Sequence, residues 1–119
     1  MCLIVSCINN YIYIYIHQLM GNSNSINASE AKKLIKQNWF NMILDVREKD
    51  EWDTGHHSSA VHIPLSEVKK KFHSKYPDKN IKVLIYCRSG MRAGNAKEIL
   101  ESQGYSNISV LDGSYTNLL

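Results

Sequence analysis

Residues 82–104, KVLIYCRSGMRAGNAKEILESQG, pass from an unbroken apolar run into a lone cysteine, two arginines and a glycine, and then into a segment of helical spacing. The run KVLIY at 82–86 has the length and the β-branched and aromatic content of a central, buried strand. GNAKEILESQG at 94–104 reads as a helix stopped by Gly104. Five residues, Arg88 to Arg92, are left to turn the strand into the helix, and Gly90 supplies backbone freedom that a side chain would deny. Cys87 therefore stands at the carboxyl end of a central strand, where open α/β sheets place their ligands.

The same alternation repeats outward from this unit. NASEAKKLIKQNW, from residue 27, offers Asn27 or Ser29 as an N-cap and Ala31, Leu34 and Ile35 as the apolar stripe of a short helix. MILDV at 42–46 reads as a buried strand, EKDEW at 48–52 as a helical turn, and AVHIP at 60–64 as a second short strand closed by Pro64. LSEVKKKFHSKY at 65–76 is an amphipathic helix with Val68 and Phe72 inward and Lys69, Lys70 and Lys71 solvated. Pro77-Asp78 makes a turn, and NISVL at 107–111 is the last strand. Strands alternating with helices predict an α/β domain on a mainly parallel sheet.

Composition narrows the function. A chain of 119 residues with 44% hydrophobic content suits one modest domain. A net charge of +3, with basic residues dispersed among acidic ones, gives no reason to expect nucleic-acid binding. The five histidines and three cysteines show no paired ligand spacing, so no metal is expected, and covalent chemistry on a thiol would require no other cofactor. Cys2 and Cys7 lie in a leader, Cys87 is alone in the body, and no disulfide framework follows.

Residues 1–25 are read as an appendage of unknown role and 26–119 as the domain. The leader holds no charged side chain and a Tyr/Ile alternation at Tyr11–Ile16; it is too short and polar for a comfortable membrane span and lacks the basic start of a secretory signal. The alternation fits an added edge strand, a membrane-surface segment, or sequence upstream of a true start at Met20. The expected compartment is the cytoplasm, with a periplasmic or membrane-associated protein as the alternative if the leader is a signal.

The loop's chemistry favours an anion. Successive backbone N–H groups in a tight turn converge on one point, and the helix dipole with Arg88 and Arg92 adds positive charge there. A thiol set in such a nest is a candidate thiolate nucleophile, which makes Cys87 the catalytic residue.

CRSGMRAG at 87–94 resembles the active-site loop of the rhodanese sulfurtransferases, in particular the small single-domain phage-shock type. ILDVREKDEWDTGHHSSAVHIPLSEV at 43–68 is similar to that family's amino-terminal signature, with Asp45, Val46, Arg47, Glu51, Gly55, His56, Ala60, Ile63 and Pro64 in register. AKEILESQGYSNISVLDGSY at 96–115 resembles the helix, turn and last strand that follow the loop. The resemblance implies an open, mainly parallel five-stranded sheet flanked by helices on both faces. It implies a thiosulfate-type sulfurtransferase passing a sulfane sulfur through a persulfide on Cys87 to cyanide or a thiol. Arg88, Ser89, Gly90, Met91, Arg92 and Ala93 would bind substrate, and the partners would be a small anionic sulfur donor and a thiol acceptor such as a small redox protein.

Three departures stand out. Ser58-Ser59 replaces the family's usual Pro-Gly, which is expected to loosen a turn; Ser114 replaces the second of two glycines; and the end at Leu119 shortens the closing helix. Phosphatases and arsenate reductases similar in fold use a Cys-x5-Arg loop, whereas Cys87 to Arg92 is Cys-x4-Arg, with Ala93 where their arginine would fall. A carrier or regulatory module with little turnover of its own is the other alternative. Asp45, Arg47 and Glu51 are expected to form a structural ion pair, His56 to brace the loops, and Trp52 and Phe72 to belong to the core or a groove.

Overall fold

The computed structural model describes residues 25–119, so Cys2, Cys7 and the Tyr11–Ile16 alternation lie outside the described residues. In chain order the elements are β1 (Ser25–Ile26), α1 (Ala28–Lys36), β2 (Met42–Asp45), α2 (Lys49–Thr54), β3 (Ala60–His62), α3 (Leu65–Lys75), β4 (Val83–Cys87), α4 (Met91–Ser102) and β5 (Ile108–Ser114), followed by a 3-10 turn at Tyr115–Leu118. The strands form one five-stranded sheet in the order β1-β5-β4-β2-β3, with every pairing parallel. β2 and β4 are buried along their whole length, which is why they read as continuous apolar runs.

The two faces of the sheet are separated by the period-two alternation of the strands. Val83, Ile85 and Cys87 pack with Val68 and Phe72 of α3 and with Ala93, Ala96 and Leu100 of α4. Leu84 and Tyr86 pack on the opposite face with Ala31 and Leu34 of α1 and with Leu118. Helices thus cover both faces. From β2 the chain crosses outward to β3, and from β4 it crosses in the other direction to β5. The carboxyl ends of β2 and β4 therefore flank the point where the connections diverge, the ligand-binding position of open α/β sheets.

Local departures from the sequence reading have physical causes. α4 begins at Met91, inside the span expected to be loop, because Gly90 adopts φ +107° and the Gly90 carbonyl already accepts the Gly94 N–H at 2.9 Å. Three residues, Arg88 to Gly90, make the turn in place of the expected five. Ser25, grouped with the appendage from the sequence, pairs with Val110 in β1. The Ser58-Ser59 turn is not loose: the Ala60 N–H donates to the His57 carbonyl at 3.0 Å, and the Ser59 N–H donates to His57 Nδ1 at 3.1 Å. Ser114 caps the closing 3-10 turn, its hydroxyl oxygen accepting the Thr116 N–H at 3.2 Å.

Candidate active site

β4 delivers Cys87 to the switch point almost completely buried, with 1% of its surface exposed. Two backbone amides converge on its sulfur. The Gly90 N–H donates to Cys87 Sγ at 3.0 Å and the Ala93 N–H donates at 3.4 Å. The first comes from the positive-φ glycine, and the second is one of the amides that the first turn of any helix leaves without a backbone partner. The early start of α4 is what brings Ala93 into range. The arrangement can hold a negatively charged sulfur without any side-chain donor.

The remaining loop residues divide sharply. Arg88 and Ser89 are exposed and Met91 is 78% exposed; among the described residues neither Arg88 nor Ser89 makes a hydrogen bond or ion pair. Arg92 is half-buried and held by two parallel bonds to Glu51, Nη1 to Oε1 at 2.6 Å and Nη2 to Oε2 at 3.0 Å. Glu51 Oε1 also accepts the Glu48 N–H at 3.2 Å, closing the capping box of α2. The Arg92 hydrogen bond draws the Glu51 carboxyl down to about 2, and the Glu51 hydrogen bond in turn raises Arg92, with the charge of Cys87 adding to the effect.

This corrects the expectation that Glu51 joins Asp45 and Arg47. Those two form an ion pair with each other: Arg47 Nη2 donates to Asp45 Oδ2 at 2.8 Å and Nε donates to both carboxylate oxygens at 3.1 Å. Arg47 Nη2 also donates to the Gly55 carbonyl at 2.7 Å, and the guanidinium lies over the rings of Tyr115 and Tyr86. Burial opposes the charge on Arg47, but Asp45 outweighs it and leaves the pKa raised. His56 packs back on α2: its Nδ1–H donates to the Trp52 carbonyl at 2.9 Å and its ring stacks on Trp52 at 3.4 Å. Trp52 is half-buried and stacks also against His62 at 4.8 Å. The Tyr86 hydroxyl ties the turn after α2 to β4, accepting the His57 N–H at 3.1 Å.

The sequence reading missed Lys97. It is 9% exposed, and among the described residues no hydrogen bond or ion pair engages it. The signal was present: Ala93, Ala96 and Leu100 define the inward stripe of α4, and position 97 falls on that stripe. No group of three His, Cys, Asp or Glu among the described residues could hold a metal ion.

Comparison with known proteins follows the same residues. The family described as Rhodanese-like domain matches residues 27–119. The thiosulfate sulfurtransferase PspE of Escherichia coli is 42% identical over 65 residues, which cover 55% of this chain and 62% of that protein. The thiosulfate:glutathione sulfurtransferase of Saccharomyces cerevisiae is 29% identical over 107 residues, covering 80% of this chain and 77% of the relative. Among solved structures, a rhodanese-related protein from Thermoplasma volcanium superposes with a TM-score of 0.66 at 32% identity, covering 79% of this chain and 88% of that one.

Proposed function

The chain belongs to the rhodanese-like domain family, and on that premise we propose that it is a sulfurtransferase carrying sulfane sulfur as a persulfide on Cys87. The observation that supports this most is the convergence of the Gly90 and Ala93 amides on Sγ at the carboxyl end of β4. In the first half-reaction the Cys87 thiolate attacks the outer sulfur of thiosulfate. A new S–S bond forms, the bond from that sulfur to the sulfonate sulfur breaks, and sulfite leaves with the electron pair. The persulfide charge then resides on the outer sulfur, within the field of the loop amides and the α4 dipole.

In the second half-reaction a nucleophile, cyanide in an assay or a thiolate, attacks the outer sulfur and Cys87 departs as thiolate. Neither half needs a proton donor, so no histidine has to serve as acid or base. The Cys-x4-Arg spacing favours sulfur over phosphate: fewer residues make a tighter ring of amides, suited to one sulfur and cramped for the oxygens of a phosphoryl group. Thiocyanate formation from thiosulfate and cyanide tests the reading. The native chain is expected to turn over and Cys87→Ser, which exchanges one small side chain for another, is expected to be inactive yet folded; near-normal turnover by Cys87→Ser would remove Cys87 from the mechanism.

A further inference from the structure

A cleft of about 300 Å³ runs along α4 on the side facing β1 and β5, lined by Gly90, Met91, Gly94, Lys97, Glu98 and Glu101 among others. Three features distinguish it from an accidental surface groove. Lys97 lies in its wall, more than nine-tenths buried and with no hydrogen bond or ion pair among the described residues. A buried ammonium with no hydrogen-bond acceptor is costly, and an apolar residue would serve the inward stripe of α4 better. Burial pushes the Lys97 pKa down, while the charge of Glu101 opposes this.

The second feature is open space at the helix surface, since a Cβ placed on Gly94 would meet no heavy atom within 4 Å. The third is position. Gly90 lines the cleft and also donates its N–H to Cys87 Sγ at 3.0 Å, so one end of the cleft abuts the loop that holds the sulfur. Arg92, by contrast, is drawn toward Glu51 of α2, on the β2 side of the site.

We propose that this cleft seats the sulfur acceptor, a small thiol of amino-acid to short-peptide size whose carboxylate binds Lys97 and whose ammonium faces Glu98 and Glu101. The assignment rests on the reading that Cys87 carries the transferred sulfur. Seated there, the acceptor thiolate attacks the outer sulfur of the Cys87 persulfide; the new S–S bond forms on the acceptor, the Cys87–sulfur bond breaks, and Cys87 leaves as thiolate. The charge pattern separates this acceptor from cyanide, which is too small to span the loop and Lys97 together.

Steady-state transfer from thiosulfate to four acceptors tests the proposal: L-cysteine, 3-mercaptopropionate (no ammonium), cysteamine (no carboxylate) and cyanide. In Lys97→Met, kcat/KM for L-cysteine and for 3-mercaptopropionate, each taken relative to cyanide, should fall about tenfold or more, the loss of one charge-assisted hydrogen bond. The cysteamine-to-cyanide ratio should stay within about twofold. Gly94→Leu, which fills the cleft from an open position, should depress all three thiols relative to cyanide and provides the test if Lys97→Met does not fold. Equal losses for carboxylate-bearing and carboxylate-free thiols in Lys97→Met, or unchanged thiol-to-cyanide ratios in Gly94→Leu, would overturn the assignment. Mass measurement of the thiosulfate-treated native chain separates the two failures: sulfur on Cys87 without acceptor discrimination defeats only the cleft, and no sulfur on Cys87 defeats both.

Discussion

Two carboxylate–guanidinium pairs have their carboxylates at the end of β2 and in the helix that follows it, and they differ in depth. Asp45 and Arg47 have side chains 0% and 8% exposed, whereas Glu51 and Arg92 are 27% and 30% exposed. The deep pair is tied on every side, by the Gly55 carbonyl and by the Tyr86 and Tyr115 rings. A side chain at Gly55 would stand 2.7 Å from the Tyr115 hydroxyl, so the backbone there approaches as closely as glycine alone permits. The outer pair links α2 to the first turn of α4, next to the amide that reaches Cys87 Sγ. Similar chemistry thus does two jobs: in the interior it fixes the path of the chain after β2, and at the rim it ties α2 to α4 beside the loop that holds Cys87.

Breaking the deep pair should cost most. Arg47→Met leaves the Asp45 carboxylate buried without its partner, and urea unfolding is expected to show a loss of about 3–5 kcal/mol. A loss below about 1 kcal/mol would mean that Asp45 finds other partners or water. Breaking the outer pair should instead appear in kinetics. We expect Arg92→Ala to raise KM for thiosulfate about tenfold, the effect of one lost charge-assisted hydrogen bond, provided Arg92 exchanges Glu51 for the sulfonate when the donor arrives. Glu51→Gln removes the competing charge and is expected to lower that KM; if the two variants move KM in the same direction, Arg92 is a structural residue and Arg88 is left to meet the donor.

The pairs should also part under acid. The Glu51 carboxyl is lowered from 4.5 to about 2, chiefly by its hydrogen bond to Arg92. A depressed carboxyl contributes stability that is complete above the unfolded value and is lost as pH falls toward the folded one. The stability difference between the native chain and Glu51→Gln should therefore be flat from neutral pH down to roughly pH 5 and shrink between 4.5 and about 2. A difference that vanishes already above pH 5 would contradict the pairing. The smallest effect is expected from Gly94→Ala, which touches neither pair and adds a methyl to open space within α4. It should stabilise the fold by about 0.5–1 kcal/mol in urea unfolding.

The contrast between the pairs also marks what a single sequence could reveal. β4 and the position of Cys87 were legible because a continuous apolar run ending in a turn has few other readings. The Asp45–Arg47 pair was legible because its members are two residues apart. Glu51 was assigned the wrong partner because Arg92 is 41 residues away and only the parallel pairing of β2 with β4 brings the two together. The start of α4 was placed late because Met91 and Arg92 were counted in the turn, while the positive φ of Gly90 completes the turn earlier and packing of Ala93 and Ala96 on the sheet holds the helix from Met91. β1 spans two residues, too short for any periodicity to register.

The central claim is that Cys87 carries the sulfur, and intact-mass and peptide mass spectrometry of the chain after exposure to thiosulfate test it most directly. The expected result is a gain of one sulfur atom on the peptide containing Cys87, removed by cyanide and absent from Cys87→Ser. No gain at Cys87 in folded protein, or a gain confined to Cys2 or Cys7, would contradict the account.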